Sequence, residues 1–281
     1  MLSKFREKCT LIYVIIVVLL FKGGQWLGSL LFSDLVKSLP VNENVMQYIF
    51  MAINDLFVAL IMIILLIATK KISLLNKNGQ GFFKSIPIAA YPLCFAIFAF
   101  AMNIVHATSE NIPLNDGLTI FTYIACMFFV GLSEELCNRA ISAETLLEHF
   151  GTDKKGIWKA AVISGVLFGC LHFFNLKYGD FLKVLVQVIA ASATGILYAA
   201  IYFRSGNIWL MVMLHALHDI GAAASYGIFQ GGELTNMLAG QGPLALLGLV
   251  TVIPQMIAAF ILLRDKKIGE VKATWLKNKG E

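Results

Sequence analysis

The chain has 281 residues, of which 58% are hydrophobic and 14% charged, with a mean hydropathy of +0.78. So few charges cannot cover a water-soluble protein of this length, and the composition implies a multi-span membrane domain instead. The formal charge is +5, but it is divided among alternate loops, which reads as membrane topology and argues against a nucleic-acid-binding surface.

Eight apolar runs predict transmembrane helices: Thr10–Phe32, Val45–Thr69, Pro87–Ala107, Gly117–Asn138, Ile157–Phe174, Leu182–Phe203, Asn207–Tyr226 and Pro243–Leu263. Most approach the ~20 residues that a ~30 Å hydrocarbon core requires. The fifth is short and the seventh carries polar side chains. The first has a basic start but runs into Lys22-Gly23-Gly24-Gln25-Trp26 without a small-x-small cleavage site, so it is read as a retained span rather than a signal peptide. Lys22 then falls inside a span, where it either snorkels or faces the bundle.

Basic residues occupy every second loop. Lys4, Arg6 and Lys8 precede the first span, and Lys70, Lys71, Lys77 and Lys84 separate the second from the third. Arg139, Lys154, Lys155 and Lys159 flank the link between the fourth and fifth, and Arg204 lies between the sixth and seventh. Arg264, Lys266, Lys267, Lys272, Lys277 and Lys279 close the chain. The intervening loops carry Lys37, Lys177 and Lys183 among the acids Asp34, Glu43, Glu110, Asp116, Asp180 and Glu233. By the positive-inside rule this is a multi-pass protein of the cell membrane with both termini cytoplasmic.

No linker, repeat or soluble domain interrupts residues 1–281, so a single membrane domain is expected, ending in a basic cytoplasmic tail over 264–281. That tail is expected to be mobile and to lie on anionic lipid. Ala140–Phe150 is amphipathic, with Ile141, Thr145 and Leu146 on one face and Glu144 and Glu148 forming an acidic stripe. It either continues the fourth span or lies along the cytoplasmic interface. The five cysteines form no CxxC pair, and all but Cys9 lie in apolar runs, as free buried thiols would.

Three polar clusters interrupt the apolar spans between about Phe129 and Gly221. Acids and imidazoles are costly in a bilayer, so a chain that keeps several there generally uses them. The first cluster is Glu134-Glu135 with Arg139. On a helix Glu135 and Arg139 are four apart and can pair, leaving Glu134 rotated by about 100° and freer to act as a general base. The second is His172, four residues after Phe168 in the fifth span. Upstream, Gly165 and Gly169 form a close-packing surface. The third is His215, His218 and Asp219 in the seventh span, with His215 and Asp219 on one face. The plain alternatives are a charge cluster ending a span, an interfacial histidine and a polar packing knot. Asn54-Asp55, in the second span, is a packing contact or lines a cavity.

Taken in order, Glu-Glu-x-x-x-Arg, Phe-x-x-x-His and His-x-x-x-Asp resemble the motifs of the CPBP family of intramembrane proteases. That family includes the CAAX prenyl endopeptidases and the bacterial Abi or bacteriocin-immunity proteins. The match lies on Glu134, Glu135 and Arg139, on Phe168 and His172, and on His215 and Asp219. The resemblance implies an all-α polytopic fold of eight transmembrane helices around a buried polar site. It also implies an intramembrane endopeptidase that acts on membrane-associated proteins or peptides, such as prenylated proteins or leader peptides. By analogy Glu134 with His172 activates a water, while His215 and Asp219 support the oxyanion or help to hold a metal. Glu135, Arg139 and Phe168 support them. Metal-dependent and metal-free mechanisms both remain open: Glu134, His172, His215 and Asp219 have the chemistry of zinc ligands, but HExxH is absent. Asp219 can donate to an oxyanion only when protonated, and otherwise orients His215 or serves as a ligand. The rival readings are a non-catalytic immunity or regulatory scaffold of the same fold, and a proton-coupled transporter.

One condition tests the peptidase reading. Straight helices would place His172 ~22 Å from the cytoplasmic start of its span, with Glu134 near the cytoplasmic end of its own. A shared site needs tilted or offset helices, or a fourth helix that continues past Arg139.

Overall fold

The computed structural model describes residues 2–76, 79–177, 179–232 and 248–279. Lys77, Glu233, the first residues of the expected eighth span (243–247) and the last two of the tail lie outside them. In chain order the helices are α1 (Leu2–Lys8), α2 (Thr10–Lys37), α3 (Glu43–Ala68), α4 (Phe82–Ser85), α5 (Ala90–Ser109), α6 (Gly117–Glu135), α7 (Glu144–Phe150), α8 (Lys154–Cys170), α9 (Phe181–Ser205), α10 (Ile208–Ala222), α11 (Ala224–Gly227), α12 (Gly248–Leu262) and α13 (Asp265–Lys279). Short 3-10 turns occupy Ile72–Asn76, Ile86–Ala89 and Leu171–Lys177, and a π-helix occupies Leu136–Ala143. Among the described residues the extended structure is a lone bridge between Leu114 and Phe229.

The helices begin where short polar side chains satisfy their first amides. Asn42 accepts from the Val45 amide, Asp116 from Leu118 and Thr119, Asp153 from Gly156, Asp180 from Lys183 and Asn207 from Leu210, at 2.9–3.1 Å. The Thr119 hydroxyl and these amides hold the Asp116 carboxyl below its ordinary range, and the Lys183 amide does the same for Asp180. Gly206, with φ +62°, ends α9 in the left-handed conformation that glycine adopts without strain.

Among the described residues six helical runs are long and apolar enough to cross a membrane: 10–37, 43–68, 82–109, 117–150, 154–177 and 181–205. A seventh candidate is the pair 248–262 and 265–277, bent by 71°. The remaining apolar helix, α10, has 15 residues and is shorter than the expected seventh span, because the chain turns at Ala223 into α11.

The loops gather at two ends. At one, Arg6 meets Glu148 at 2.5 Å, Lys71 pairs with the same carboxylate, Lys154 meets Asp265 at 2.7 Å and Arg204 meets Glu270 at 2.5 Å. These are the basic loops, and they share one end of the bundle. At the other end the Asn115 amide donates to the Ile228 carbonyl, Gln230 to Pro113, and the Tyr48 hydroxyl to the Tyr226 carbonyl.

The tail departs from expectation. Instead of a mobile strand of charges it is helix α13, docked on the end of α9. Thr274 donates its hydroxyl to the Arg204 carbonyl at 3.2 Å, Lys277 donates to the Gly79 carbonyl at 2.6 Å, and Val271 is buried. The apolar positions Val271 and Trp275 are four apart, so one face of a basic segment has something to bury. The cysteines are all free, but Cys94 is exposed rather than buried.

Candidate active site

The fourth predicted span continues well past Arg139. Residues 117–150 form one helical run of 34 residues, about 50 Å long at 1.5 Å per residue, with Glu134 near its middle. This is one of the arrangements that the depth condition required. The continuation passes through the π-helix, in which each amide reaches one residue further back and the faces after Glu135 are reset, a feature common at functional sites. All eight π-helical residues are buried. Beyond them Thr145, Leu146 and Leu147 are buried as well, so the segment lies inside the protein and not along the interface. Its acidic stripe is also satisfied internally: Tyr202 donates its hydroxyl to Glu144 at 3.3 Å, and Glu148 takes Arg6 and Lys71.

Glu135 and Arg139 pair across one turn, with Arg139 Nη1 3.0 Å from Glu135 Oε1. The guanidinium lies 4.7 Å from the Phe168 ring and 5.2 Å from the Tyr198 ring, so two aromatic faces cover a cation that water does not reach. The same Glu135 oxygen also accepts from His215 Nδ1 at 2.6 Å. That bond commits Nδ1–H to Glu135 and leaves Nε2 as the ring atom facing the other acids. Glu134 Oε2 is 3.6 Å and Asp219 Oδ2 3.5 Å from Nε2. Phe168 stands edge-on to both His215, at 6.0 Å, and His172, at 5.4 Å, and so separates and orients the two imidazoles. His172 Nδ1 lies 3.3 Å from the Phe168 carbonyl.

Glu134, His172, His215 and Asp219 all line one cavity of about 840 Å³. His218 does not: its ring stacks on Phe95 at 5.4 Å and sits beside Tyr198, facing α5 and α9. Two glycines allow this convergence. A side chain at Gly165 would strike the backbone of Ile196 at 2.5 Å, and one at Gly131 would crowd the α10 backbone at Val212 and Ala216, at 3.1 and 3.2 Å. α8 therefore approaches α9, and α6 approaches α10, closely enough for their side chains to meet.

A second set of polar residues shares the cavity. Lys22 donates to Gln25 Oε1 at 2.9 Å, and Gln25 Nε2 donates to Asp55 Oδ1 at 3.2 Å. Ser133, adjacent to Glu134, donates to the same Asp55 oxygen at 2.7 Å. Asn54 reaches back to the Gln25 carbonyl at 3.1 Å. The anomaly of Lys22 within a span, and the Asn54-Asp55 pair, were the sequence signals for this network. Tyr198 gave no such signal, since a tyrosine in an apolar helix is unremarked until its neighbours are known.

Among the described residues no three of His, Cys, Asp and Glu are arranged to hold a metal ion. Glu135 holds His215 Nδ1 and a backbone carbonyl lies against His172 Nδ1, which leaves Nε2 of each ring as the atom that a metal would use. Of the four candidate ligands, Glu134 and Asp219 approach His215 Nε2 at 3.6 and 3.5 Å, and His172 lines the same cavity.

Residues 116–221 match the family described as Rce1-like, type II CAAX prenyl endopeptidase. The matched segment holds all seven motif residues, while Lys22 and Asp55 fall outside it. No curated protein matches the chain. Over this segment, which is less than half of the chain, the protein is similar to the CAAX-type membrane proteases.

Proposed function

We propose that the protein is an eight-span intramembrane endopeptidase of the cell membrane, with both termini cytoplasmic, that hydrolyses membrane-associated proteins or peptides at a buried polar site. In this reading α10 with α11, and the bent pair at the C-terminal end, complete the eight spans. Glu134 takes a proton from a water held between it and His172, and the hydroxide attacks the scissile carbonyl. As the C–O bond forms, the oxyanion develops opposite His215. His215, as imidazolium, donates to it from Nε2, because Nδ1 is held by Glu135. When the C–N bond breaks, Glu134 returns its proton to the leaving amine. Asp219 faces the same Nε2 and positions the ring. Arg139 offsets the charge of the Glu135 carboxylate that orients the imidazole.

The observation that carries this reading is that Glu134, His172, His215 and Asp219, drawn from three separate runs of chain, line one cavity. Its test compares the membrane proteomes of wild-type and Glu134→Ala cells at equal expression. Uncut precursors should accumulate in the variant. Identical proteomes, with the cellular phenotype retained, would instead favour a non-catalytic scaffold.

A further inference from the structure

The cavity around Glu134 is sealed towards the basic end. Beyond Glu134 towards that end, the π-helix 136–143 lies as a floor layer: every residue of it is buried and none lines the cavity, and Thr145, Leu146 and Leu147 extend that buried layer by another turn. The Glu135–Arg139 pair and the rings of Phe168 and Tyr198 fill the space beneath His215. Water cannot reach the carboxylate through such a layer without breaking buried ion pairs.

In the other direction the cavity extends towards the opposite end. Phe50 and Gln187, which line it, lie about two turns from the starts of α3 and α9 at the end away from the basic loops. Lys177, at the end of the 171–177 turn, lines it too. Its rim is exposed on both sides, at Gly23 and Trp26 of α2 and at Phe174 opposite. Lys22 spans this gap, with Nζ 5.3 Å from the Phe174 ring centroid.

We infer that water and substrate reach Glu134 sideways, between α2 and the 171–177 turn, from the half of the membrane opposite the basic loops. The substrate is then a polypeptide segment presented at the extracytoplasmic face. The direction follows from the charge distribution, because Arg6, Lys71, Lys154 and Arg204 lie together at the sealed end and the positive-inside rule puts that end in the cytoplasm. A protein held at the cytoplasmic surface would meet the floor and not the opening. The path stands on geometry and its sidedness on the charge distribution; only the identity of what travels along it rests on the peptidase reading.

The test uses the full chain in intact cells, in a background without its five native cysteines. Trp26→Cys should react with a membrane-impermeant maleimide added outside, and Lys155→Cys, at the basic end, only after permeabilisation. Gly23→Cys gives a second rim position in case Trp26→Cys folds poorly. Rim cysteines that label only from the cytoplasmic side, or not at all, overturn the inference, as does Lys155→Cys labelling from outside. A bulky maleimide on Trp26→Cys should then slow cleavage of the precursors identified with Glu134→Ala by at least ten-fold, and undiminished cleavage also overturns it. The labelling pattern should be the same in a Glu134→Ala background. Outside labelling with no precursor accumulation would therefore sink the peptidase reading and leave the path standing.

Discussion

Glu135 Oε1 lies 2.6 Å from His215 Nδ1, and this contact joins two residues that are 80 positions apart in the chain. The same oxygen faces Arg139 at 3.0 Å, so one buried carboxylate serves a structural cation and a candidate catalytic ring at once. Removing it should therefore cost more than an ion pair. Glu135→Ala leaves Arg139 buried without its counter-charge, a loss of about 3–5 kcal/mol, and frees the His215 ring to rotate. Thermal unfolding in detergent should show the first effect and cleavage the second. Glu135→Gln keeps an acceptor for Nδ1–H but not the charge, so it should recover part of the turnover while remaining destabilised. Wild-type unfolding of Glu135→Ala would refute the dual role.

The two histidines should separate by stability. His215 touches Glu135 and faces Glu134 and Asp219. His172 forms no ion pair among the described residues, and it packs against the Phe168 ring and carbonyl. His172→Ala should lower turnover by about 10²–10⁴-fold, the usual range for a lost acid–base partner, and His215→Ala by about 10²–10³-fold, as for a lost oxyanion donor. Only His215→Ala should also lower the unfolding temperature. If His172→Ala turned over normally, the shared activation of water would be wrong.

Gly165 lies at a close approach of α8 to α9. A Cβ there would lie 2.5 Å from the Ile196 amide nitrogen and 3.0 Å from the Gly195 carbonyl carbon, and backbone cannot yield as a flexible side chain does. Gly165→Ala should destabilise by about 1–3 kcal/mol through overpacking. It should also reduce cleavage, because α8 carries Phe168 and leads into His172. Gly269→Ala, with nothing within 4 Å of the added carbon, is the control. Equal unfolding temperatures for the two variants would show that this contact is soft.

Local spacing made part of this site legible. Glu135–Arg139 and His215–Asp219 are each four apart on a helix, and both pairs form as that spacing requires. Alternating charge marked the loops that now share one end, because like-sided loops are the ones free to meet. What could not be read was anything that crosses between helices. The bond from Glu135 to His215 depends on how α6 and α10 cross at Gly131, and no period within either helix encodes that. The π-helix is a one-residue departure from helical period with no compositional mark. The tail read as mobile because its net charge hid a four-residue apolar spacing from Val271 to Trp275, which becomes meaningful only when the end of α9 is there to receive it.

Asp55 links the two polar sets, and its role can be divided between charge and hydrogen bonding. Its Oδ1 accepts from Ser133, next to Glu134 on α6, and from Gln25, which in turn accepts from Lys22 on α2. Three helices are thus tied together beside the proposed base. Asp55→Asn keeps a carbonyl oxygen in place to accept both bonds and removes only the charge. Asp55→Ala removes the acceptor and leaves the Gln25 amide unpaired in a half-buried position, at about 1–3 kcal/mol. If Asp55 acts by holding α3 to α6, Asn should unfold near the wild-type temperature and retain most turnover, while Ala loses both. If it acts as the counter-charge of Lys22, Asn should fail as Ala does, and Lys22→Met combined with Asp55→Asn should restore stability. The geometry favours the first outcome, because Asp55 bonds Ser133 directly whereas Lys22 reaches it only through Gln25. Loss of stability in Asp55→Asn, with rescue by the double variant, would reverse that assignment.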